Sequence, residues 1–194
     1  MKSSPDEIYN FVFRGLLAEE ALDRVGRQSK ILSESSDVEI AKSLSLDLLD
    51  EDLVMQARQM SVVYTAIAAF ENAVRGLIAK VMLENVGAGW WETKVSEKIR
   101  ERAKTRFEEE KNIRWHAQRG NDPINYTMLG DLINIIRNNW DKFEPYIESI
   151  EWASNIFETL ERSRNVIMHS GTLEKADVER IGINIRDWIK QVGA

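Results

Sequence analysis

The spacing of apolar residues along the chain predicts a protein built almost entirely of α-helices. Apolar positions recur at steps of three and four residues in several stretches, the spacing that places side chains on one face of a helix. The longest stretch covers residues 51–86, contains no proline, and includes Met60, Ile67 and Val74. No stretch convincingly alternates apolar and polar residues, as a half-buried strand does. The pattern therefore predicts an all-α fold.

Proline, glycine and serine residues separate the other predicted helices. These helices cover approximately residues 5–26, 92–115, 127–138, 149–170 and 174–191. Thr127 is expected to cap the helix that it begins, and Gly171 is expected to end the helix before it. The serine-rich segment 27–37 suits a connector. We therefore expect an N-terminal helical extension, residues 1–36, followed by a main helical domain, residues 37–194.

The composition is that of a soluble globular protein and excludes a disordered chain, because 43% of the residues are hydrophobic and 30% are charged. A chain of 194 residues is long enough for one domain with a real core and an extension. The absence of cysteine excludes disulfides and thiolate metal sites, and it favours a reducing compartment. No uncharged apolar stretch approaches the roughly 20 residues of a membrane span, so we expect a cytoplasmic protein.

The net charge of -6 argues against binding of nucleic acid by bulk attraction, but the charge is unevenly distributed. Residues 94–119 contain nine basic and five acidic residues. One interpretation is a solvated helix face with ion pairs one turn apart, such as Lys104 with Glu108 and Glu110 with Arg114. The other interpretation is a surface that follows the phosphates of a nucleic acid.

The densest group of chemically reactive side chains lies in E-R-S-R-N-V-I-M-H-S-G, residues 161–171. It contains Arg164, Asn165 and His169, in a chain with only two histidines. An Arg-Asn pair at this distance before a histidine has a chance of about one in a hundred on composition alone. Phosphate-loop, H-E-x-x-H zinc and G-x-S-x-G nucleophile motifs do not occur in the chain. This stretch is therefore the strongest candidate for a catalytic site.

The letters R-N-V-I-M-H resemble the R-N-x-x-x-H form of the Arg-x4-6-His motif of the HEPN superfamily, the higher eukaryote and prokaryote nucleotide-binding domains. Other segments are similar to the HEPN subtype found at the C-terminal end of transcript-surveillance endonucleases and in free-standing bacterial proteins. These segments are Y-T-A-I-A-A-F-E-N-A-V-R-G-L-I, the G-x-G-W-W before the basic helix, and Y-T-M-L-G-D-L-I-N-I-I followed by N-W-D-K-F. The resemblance covers most of residues 50–190 and leaves the N-terminal segment unexplained.

The resemblance implies an antiparallel helical bundle of the HEPN type and a homodimer in which the two motif-bearing helices meet. Active members of the superfamily are endoribonucleases that use no metal and no cofactor. Members without activity are RNA-binding or interaction modules. The candidate catalytic residues implied by the motif are Arg164, Asn165 and His169.

Metal-independent RNA cleavage requires deprotonation of a 2′-OH, stabilisation of the phosphorane charge and protonation of the leaving 5′ oxygen. His169 has the side chain suited to general acid or base catalysis. Arg164 would hold the developing phosphate charge, and Asn165 would orient the histidine or the phosphate. The motif therefore contains the groups that this chemistry needs.

Helix geometry separates these side chains, however. Asn165 and His169 lie about 40° apart and share a face, whereas Arg164 lies about 140° from His169 on the apolar stripe. An arginine on such a stripe is costly unless it is paired or lies at an interface. We therefore hypothesise that the arginine of one subunit and the histidine of the other complete one site. The alternative is a buried ion pair of Arg164 with Glu71, with His169 acting only as a helix cap.

Further residues are candidates for supporting or binding roles. Glu71 and Arg75 lie one turn apart, so they form either a surface ion pair or a buried carboxylate that orients an arginine. The candidate RNA-binding residues of the basic helix are Lys98, Arg102, Arg106 and Arg114. An exposed Trp90, Trp91 or Trp115 would guide the strand, although core packing is the ordinary role of a tryptophan.

Two classes of function remain open on the sequence. The first is a metal-independent endoribonuclease, with a toxin or a defence effector as a potential biological setting. The second is a catalytically inactive module for dimerisation, RNA binding or protein interaction. The partners expected are a second copy of the chain, RNA, and a partner or antitoxin protein. We expect no membrane and no bound metal.

Overall fold

The computed structural model describes residues 37–193, and the chain divides into two units between Met55 and Gln56. The described part of the first unit contains a helix over residues 37–43, a 3-10 turn at Leu46–Leu48 and the beginning of the longest helix. The N-terminal helical extension predicted for residues 1–36 lies outside the described residues.

The second unit is a bundle of helices. In chain order, the helices from Glu51 onward are α1 (Glu51–Val86), α2 (Trp90–Lys94), α3 (Glu97–Asn112), α4 (Leu129–Asn138), α5 (Trp140–Phe143), α6 (Ile150–Met168) and α7 (Lys175–Val192), with a 3-10 turn at Pro123–Tyr126 before α4. Helix α1 begins in the first unit and continues through the second. Between residues 37 and 193 there is no β-strand, which confirms the predicted all-α fold.

One face of α1 forms the centre of the core of the second unit. Its buried apolar residues follow steps of three and four: Met60, Val63, Ile67, Phe70, Val74, Ile78, Val81 and Met82. An aromatic cluster joins this face to α6 and α7, because Phe70, Phe157 and Trp188 meet pairwise with ring centroids 5.4 to 5.8 Å apart. Edge-to-face pairs of this kind add to the burial of apolar area. They hold α6, which carries the Arg-Asn-His stretch, against α1.

Helix α1 also has the length and composition of a membrane-spanning helix, contrary to the expectation from the sequence. An 18-residue window within it has a mean hydropathy of at least 1.2, and 33% of that window is buried inside the protein. The core helix of a globular domain meets the same criterion. Because Ile67, Val74 and Ile78 are fully buried within the bundle, we interpret α1 as the core helix of the second unit.

The helix predicted over residues 92–115 is in fact two helices, α2 and α3. Val95 interrupts them, because its backbone is extended and its side chain is buried in the core. Asn139 Nδ2 donates a hydrogen bond to the carbonyl of Lys94 at 3.2 Å. This bond satisfies one of the carbonyls that the end of a helix leaves free. The tertiary contacts of Val95 and Asn139 therefore override the helical spacing.

The predicted capping role of Thr127 is also wrong. The Thr127 hydroxyl donates instead to the carbonyl of Ile124 at 2.6 Å, within the 3-10 turn. Helix α4 begins at Leu129, and the Asp131 carboxylate accepts a hydrogen bond from the backbone N–H of Met128 at 3.1 Å. Asp131 therefore satisfies a donor at the start of α4.

Candidate active site

The reactive stretch predicted from the sequence lies at the C-terminal end of α6. The helix ends at Met168, so Arg164 and Asn165 lie in its last turns and His169 follows directly. The backbone N–H of Gly171 donates to the carbonyl of Val166 at 2.8 Å, and the left-handed residue at this helix end is Ser170, with a φ of 60°, and not Gly171. The three candidate catalytic residues therefore share one helix terminus.

The side chains of these three residues divide between the interior and the surface. The Arg164 side chain is 21% exposed, whereas Asn165 and His169 are exposed residues. This division follows the helical angles, which place Arg164 on the inner stripe and the other two on an outer face. One chain therefore does not direct Arg164 and His169 to the same face of α6.

Arg164 faces a buried carboxylate on the core helix α1. Its Nε lies 4.0 Å from Oε2 of Glu71, whose side chain is 8% exposed. Both terminal nitrogens of Arg164 also lie 3.9 Å from the sulfur of Met128. The ion pair with Glu71 is the one raised as an alternative on the sequence. It supplies the partner that an arginine on an apolar stripe requires.

A second arginine, Arg75, binds the same carboxylate. One of its terminal nitrogens donates to Glu71 and to the carbonyl of Thr127 at 2.9 Å. The other donates to Oδ1 of Asn72 at 2.9 Å. The Arg75 side chain is 14% exposed, so the Glu71 and Arg75 pair is a buried structural feature and not a surface ion pair. Glu71 thus accepts a hydrogen bond from one guanidinium group and lies within ion-pair distance of a second.

These groups line an open cleft of about 400 Å3 between α1, α6 and the segment before α4. Its charged lining residues are Arg75, Arg119, Arg164 and Glu71, and Arg119 also pairs with Glu110, so three cations are balanced by two anions. The amide side chains of Asn72 and Asn125 also face it, and the lining includes neither Asn165 nor His169. An excess of cations in a concave surface attracts anions such as phosphate.

Comparison with known protein families identifies the chain. The sequence model of the family described as Swt1-like HEPN matches residues 65–193, about two thirds of the chain. The chain belongs to the Swt1-like HEPN family. The match confirms the resemblance stated from the motif and the neighbouring segments. No curated protein and no solved structure matches this chain significantly.

Within the HEPN domain, two of the candidate RNA-binding arginines contact a buried acid. Nη2 of Arg102 lies 2.6 Å from Asp131, and Nη1 of Arg106 lies 3.1 Å from the other oxygen of the same carboxylate. Arg106 also donates to the carbonyl of Tyr126 at 2.7 Å. The Asp131 side chain is 4% exposed, so both arginines neutralise a buried charge. The sequence pattern did not reveal this partner.

The other two candidate RNA-binding residues reach the solvent. Lys98 and Arg114 are exposed. Glu110 pairs with Arg119, with an Nε to Oε1 distance of 2.7 Å, and not with Arg114 as the spacing of one turn predicted. Lys98 and Arg114 therefore remain accessible to a partner.

The tryptophans of the HEPN domain separate into core and surface residues. Trp90 and Trp91 are buried and pack against each other edge to face, with ring centroids 5.5 Å apart. The idea that either of them guides an RNA strand is therefore wrong. Trp115 is 86% exposed.

Tyr126 fixes the segment that carries Arg119. Its hydroxyl donates to the carbonyl of Gly120 at 2.9 Å, and its ring is fully buried. Burial raises the pKa of the Tyr126 phenol above its ordinary value of 10.0, and the nearby charge of Glu110 raises it further, while Arg119 acts in the opposite direction. The phenol therefore stays protonated and keeps its hydrogen bond at neutral pH.

The residues of this region that were missed on the sequence include Arg119, Asn125, Met128 and Asp131. Asp131 carried a usable signal, because it is an acid within the apolar run of residues 129–136 and would be buried with that run. The other three lie in or beside a loop, where no helical periodicity indicates which way a side chain points.

Proposed function

We propose that this protein is a metal-independent endoribonuclease. The observation that supports the proposal is the placement of Arg164, within ion-pair distance of Glu71 in an arginine-lined cleft, beside a helix terminus that presents His169 and Asn165 to solvent. The family match supports it further, since the motif occupies the end of α6 within the matched residues.

In the proposed reaction, the 2′-OH of the RNA attacks the adjacent phosphorus. His169 acts as general base toward the 2′-OH or as general acid toward the leaving 5′ oxygen. Arg164 stabilises the phosphorane with charged hydrogen-bond donors, and Asn165 orients the histidine or the phosphate. The products are a 2′,3′-cyclic phosphate and a free 5′-OH. No atom of this scheme requires a metal ion.

The proposal includes a homodimer in which each site combines two chains. Arg164 is directed toward the cleft, whereas His169 is exposed and is not part of the cleft lining. A second copy whose α6 terminus approaches the cleft would supply the histidine to that arginine. Exposed apolar side chains at this terminus, Val166 and Met168, provide area for such a contact, since they are 40% and 57% exposed.

Glu71 and Arg75 serve as positioning residues in this scheme. The Glu71 carboxylate limits the conformations of Arg164, so less side-chain entropy is lost when the guanidinium meets a phosphate. Arg75 balances the carboxylate and ties it to the Thr127 carbonyl. The two residues act through Arg164 and do not touch the reacting atoms.

The test is incubation of the purified full-length protein with RNA in EDTA. We expect cleavage with cyclic phosphate ends, abolished in Arg164→Ala and in His169→Ala, and retained in the exposed control Arg162→Ala on the same helix. Restored cleavage in mixed dimers of the two inactive variants would support the shared site. Lack of cleavage by the intact protein across structured and single-stranded RNA would sink the proposal.

The second candidate function is a catalytically inactive module for dimerisation, RNA binding or protein interaction. It is favoured by the contact of Arg164 with Glu71, because such an ion pair also suits a purely structural arginine. The same assay separates the two functions. A module would bind RNA or itself without cleavage, and His169→Ala would change neither property.

A further inference from the structure

We propose that the loop of residues 113–121, hereafter the Trp115 loop, binds single-stranded RNA by stacking an unpaired base on Trp115. The inference rests on the proposed ribonuclease function and specifies its substrate class, single-stranded and not duplex RNA. The Arg-Asn-His motif lies outside this loop, and the family match, which covers the loop, gives it no role.

The exposure of Trp115 is the first observation. Its side chain is 86% exposed, while Trp90, Trp91 and Trp188 are buried and Trp140 and Trp152 are partly buried. A large aromatic group left in water forgoes the stabilisation that burial would give it. A function that uses the face of the ring offsets this cost, and stacking of a base is such a function.

The loop is anchored at its stem, so Trp115 is presented from a defined support. The backbone N–H of Arg119 donates to Glu110 at 3.3 Å, and the Arg119 side chain pairs with the same carboxylate at 2.7 Å. The Tyr126 hydroxyl holds the carbonyl of Gly120 at 2.9 Å, and Gly120 adopts a φ of +110°, which suits glycine. These bonds reduce the entropy lost when a ligand binds the loop.

The charge around Trp115 favours a nucleic acid over a protein partner. The Trp115 loop contains two basic residues, Arg114 and Arg119, and no acidic residue, in a chain with a net charge of -6. Arg119 pairs with Glu110, which precedes the loop. The only other large exposed apolar residue of the loop is Ile113, at 45%. An aromatic ring among cations matches the combination of stacking and phosphate contacts that binds single strands. A protein interface would require a wider apolar area.

The loop is continuous with the candidate active site through Arg119. This residue belongs to the loop and also lines the cleft that contains Arg164. Trp115 precedes Arg119 by four residues, so their Cα atoms are at most about 14 Å apart. A short RNA strand with a phosphate at the cleft can therefore place a nearby base on the indole. In a duplex the bases are already stacked on one another and offer no free face to the ring.

The test uses the full-length His169→Ala protein, so that cleavage does not consume the probe. Binding of fluorescein-labelled oligouridine and of a duplex RNA of equal length is measured by fluorescence anisotropy. We expect Trp115→Ala to weaken binding of oligouridine about tenfold or more and to change binding of the duplex little. Trp115→Phe should restore most of the affinity, and Tyr146→Ala, which removes another exposed aromatic ring, should leave it unchanged. The melting temperatures of the variants should agree, since Trp115 makes few interior contacts.

Three results would overturn the inference: no binding of oligouridine, unchanged affinity in Trp115→Ala, or an equal loss for single-stranded and duplex RNA. Loss of self-association in Trp115→Ala with unchanged RNA affinity would also overturn it and identify a protein contact. The two proposals fail separately. Trp115-dependent binding by a protein that never cleaves RNA would refute only the nuclease, whereas cleavage indifferent to Trp115 would refute only the loop.

Discussion

Arg164 at the end of α6 lies 4.0 Å from Glu71 on the core helix α1, measured from Nε to Oε2. The same carboxylate also accepts a hydrogen bond from Arg75, so one buried anion faces two cations. The contact ties the motif-bearing helix to the centre of the bundle. Its free energy therefore contributes both to folding and to the position of the arginine assigned to phosphate binding.

Replacement of Glu71 by glutamine should destabilise the protein. Glu71→Gln keeps the volume but leaves two arginines, 14% and 21% exposed, without their anion. Loss of one partner from a fully buried pair costs about 3–5 kcal/mol, and partial solvation of these arginines reduces the expected loss to about 2 kcal/mol. Urea unfolding followed by circular dichroism measures the change in the free energy of unfolding.

The control is Glu158→Gln, which removes the acid of an exposed pair on α6. Glu158 and Arg162 are 63% and 82% exposed, and such pairs contribute at most about 1 kcal/mol. Equal losses in the two variants would mean that the Glu71 network behaves as a surface pair. Cleavage should also fall in Glu71→Gln and remain unchanged in Glu158→Gln.

Truncation of Arg106 should lower stability, whereas truncation of Lys98, on the same helix, should affect only RNA binding. Arg106→Ala removes donors from Asp131 and the Tyr126 carbonyl, so it should lower the free energy of unfolding by about 1–3 kcal/mol. Lys98→Ala removes an exposed side chain and should change stability by less than about 0.5 kcal/mol. If Lys98 contacts a phosphate, its loss should reduce the slope of log affinity for RNA against log salt concentration by about 1.

The measurements are urea unfolding and RNA affinity at a series of salt concentrations. A stable Arg106→Ala protein with a weakened salt dependence would contradict the structural assignment of Arg106. An unchanged salt dependence in Lys98→Ala would exclude Lys98 from the RNA-binding surface.

Local patterns were sufficient to predict the longest helices and the place of the motif. Residues 51–86 form one helix because their apolar spacing is unbroken and no proline intervenes. Gly171 lies just past the end of α6, as predicted, but the left-handed residue there is Ser170. The angular separation of Arg164 from His169 followed from helix geometry alone, and the structure has the corresponding difference in exposure.

Contacts between segments that are distant along the chain were harder to predict from the sequence. Arg102 and Arg106 were assigned to RNA because a basic helix shows no sign of the acid that it meets, and Asp131 lies in a different helix. Val95 has an extended backbone and interrupts the basic helix because its side chain is buried in the core. This burial depends on the packed bundle, so the residues beside Val95 in the sequence do not indicate it. Pairing across the bundle depends on how faces meet, which helical spacing alone does not specify.

The buried phenol of Tyr126 should make stability sensitive to alkaline pH. Its pKa is raised in the folded state, so the unfolded chain releases this proton first as the pH rises. The phenol contributes fully to the free energy of unfolding below about pH 10, its pKa in the unfolded chain. This contribution is lost as the pH rises through the pKa of the phenol in the folded protein. Tyr126→Phe should lower stability at neutral pH by about 0.5–1.5 kcal/mol, because the bond to Gly120 is lost.

Urea unfolding at a series of pH values tests this expectation. Tyr126→Phe should show a shallower decline above about pH 10 than the unaltered protein. Tyr146→Phe, which changes a phenol that is 36% exposed, should follow the decline of the unaltered protein. Parallel curves for all three proteins would show that the Tyr126 phenol does not govern alkaline unfolding.

Gly171→Ala should disturb the end of α6 at which His169 lies. A Cβ atom at this position would lie 2.7 Å from Cγ1 of Val166 and 2.9 Å from its carbonyl oxygen, so the turn after the helix must shift. Overpacking of this size costs about 1–3 kcal/mol. Cleavage should fall with stability, because the displaced turn carries His169.

Gly76→Ala is the matched control, since a Cβ there meets nothing within 4 Å and the position lies inside α1. That substitution should raise the free energy of unfolding by about 0.5–1 kcal/mol and leave cleavage unchanged. Thermal unfolding and the cleavage assay measure both effects, and equal behaviour of the two variants would show that the helix end tolerates a side chain at Gly171.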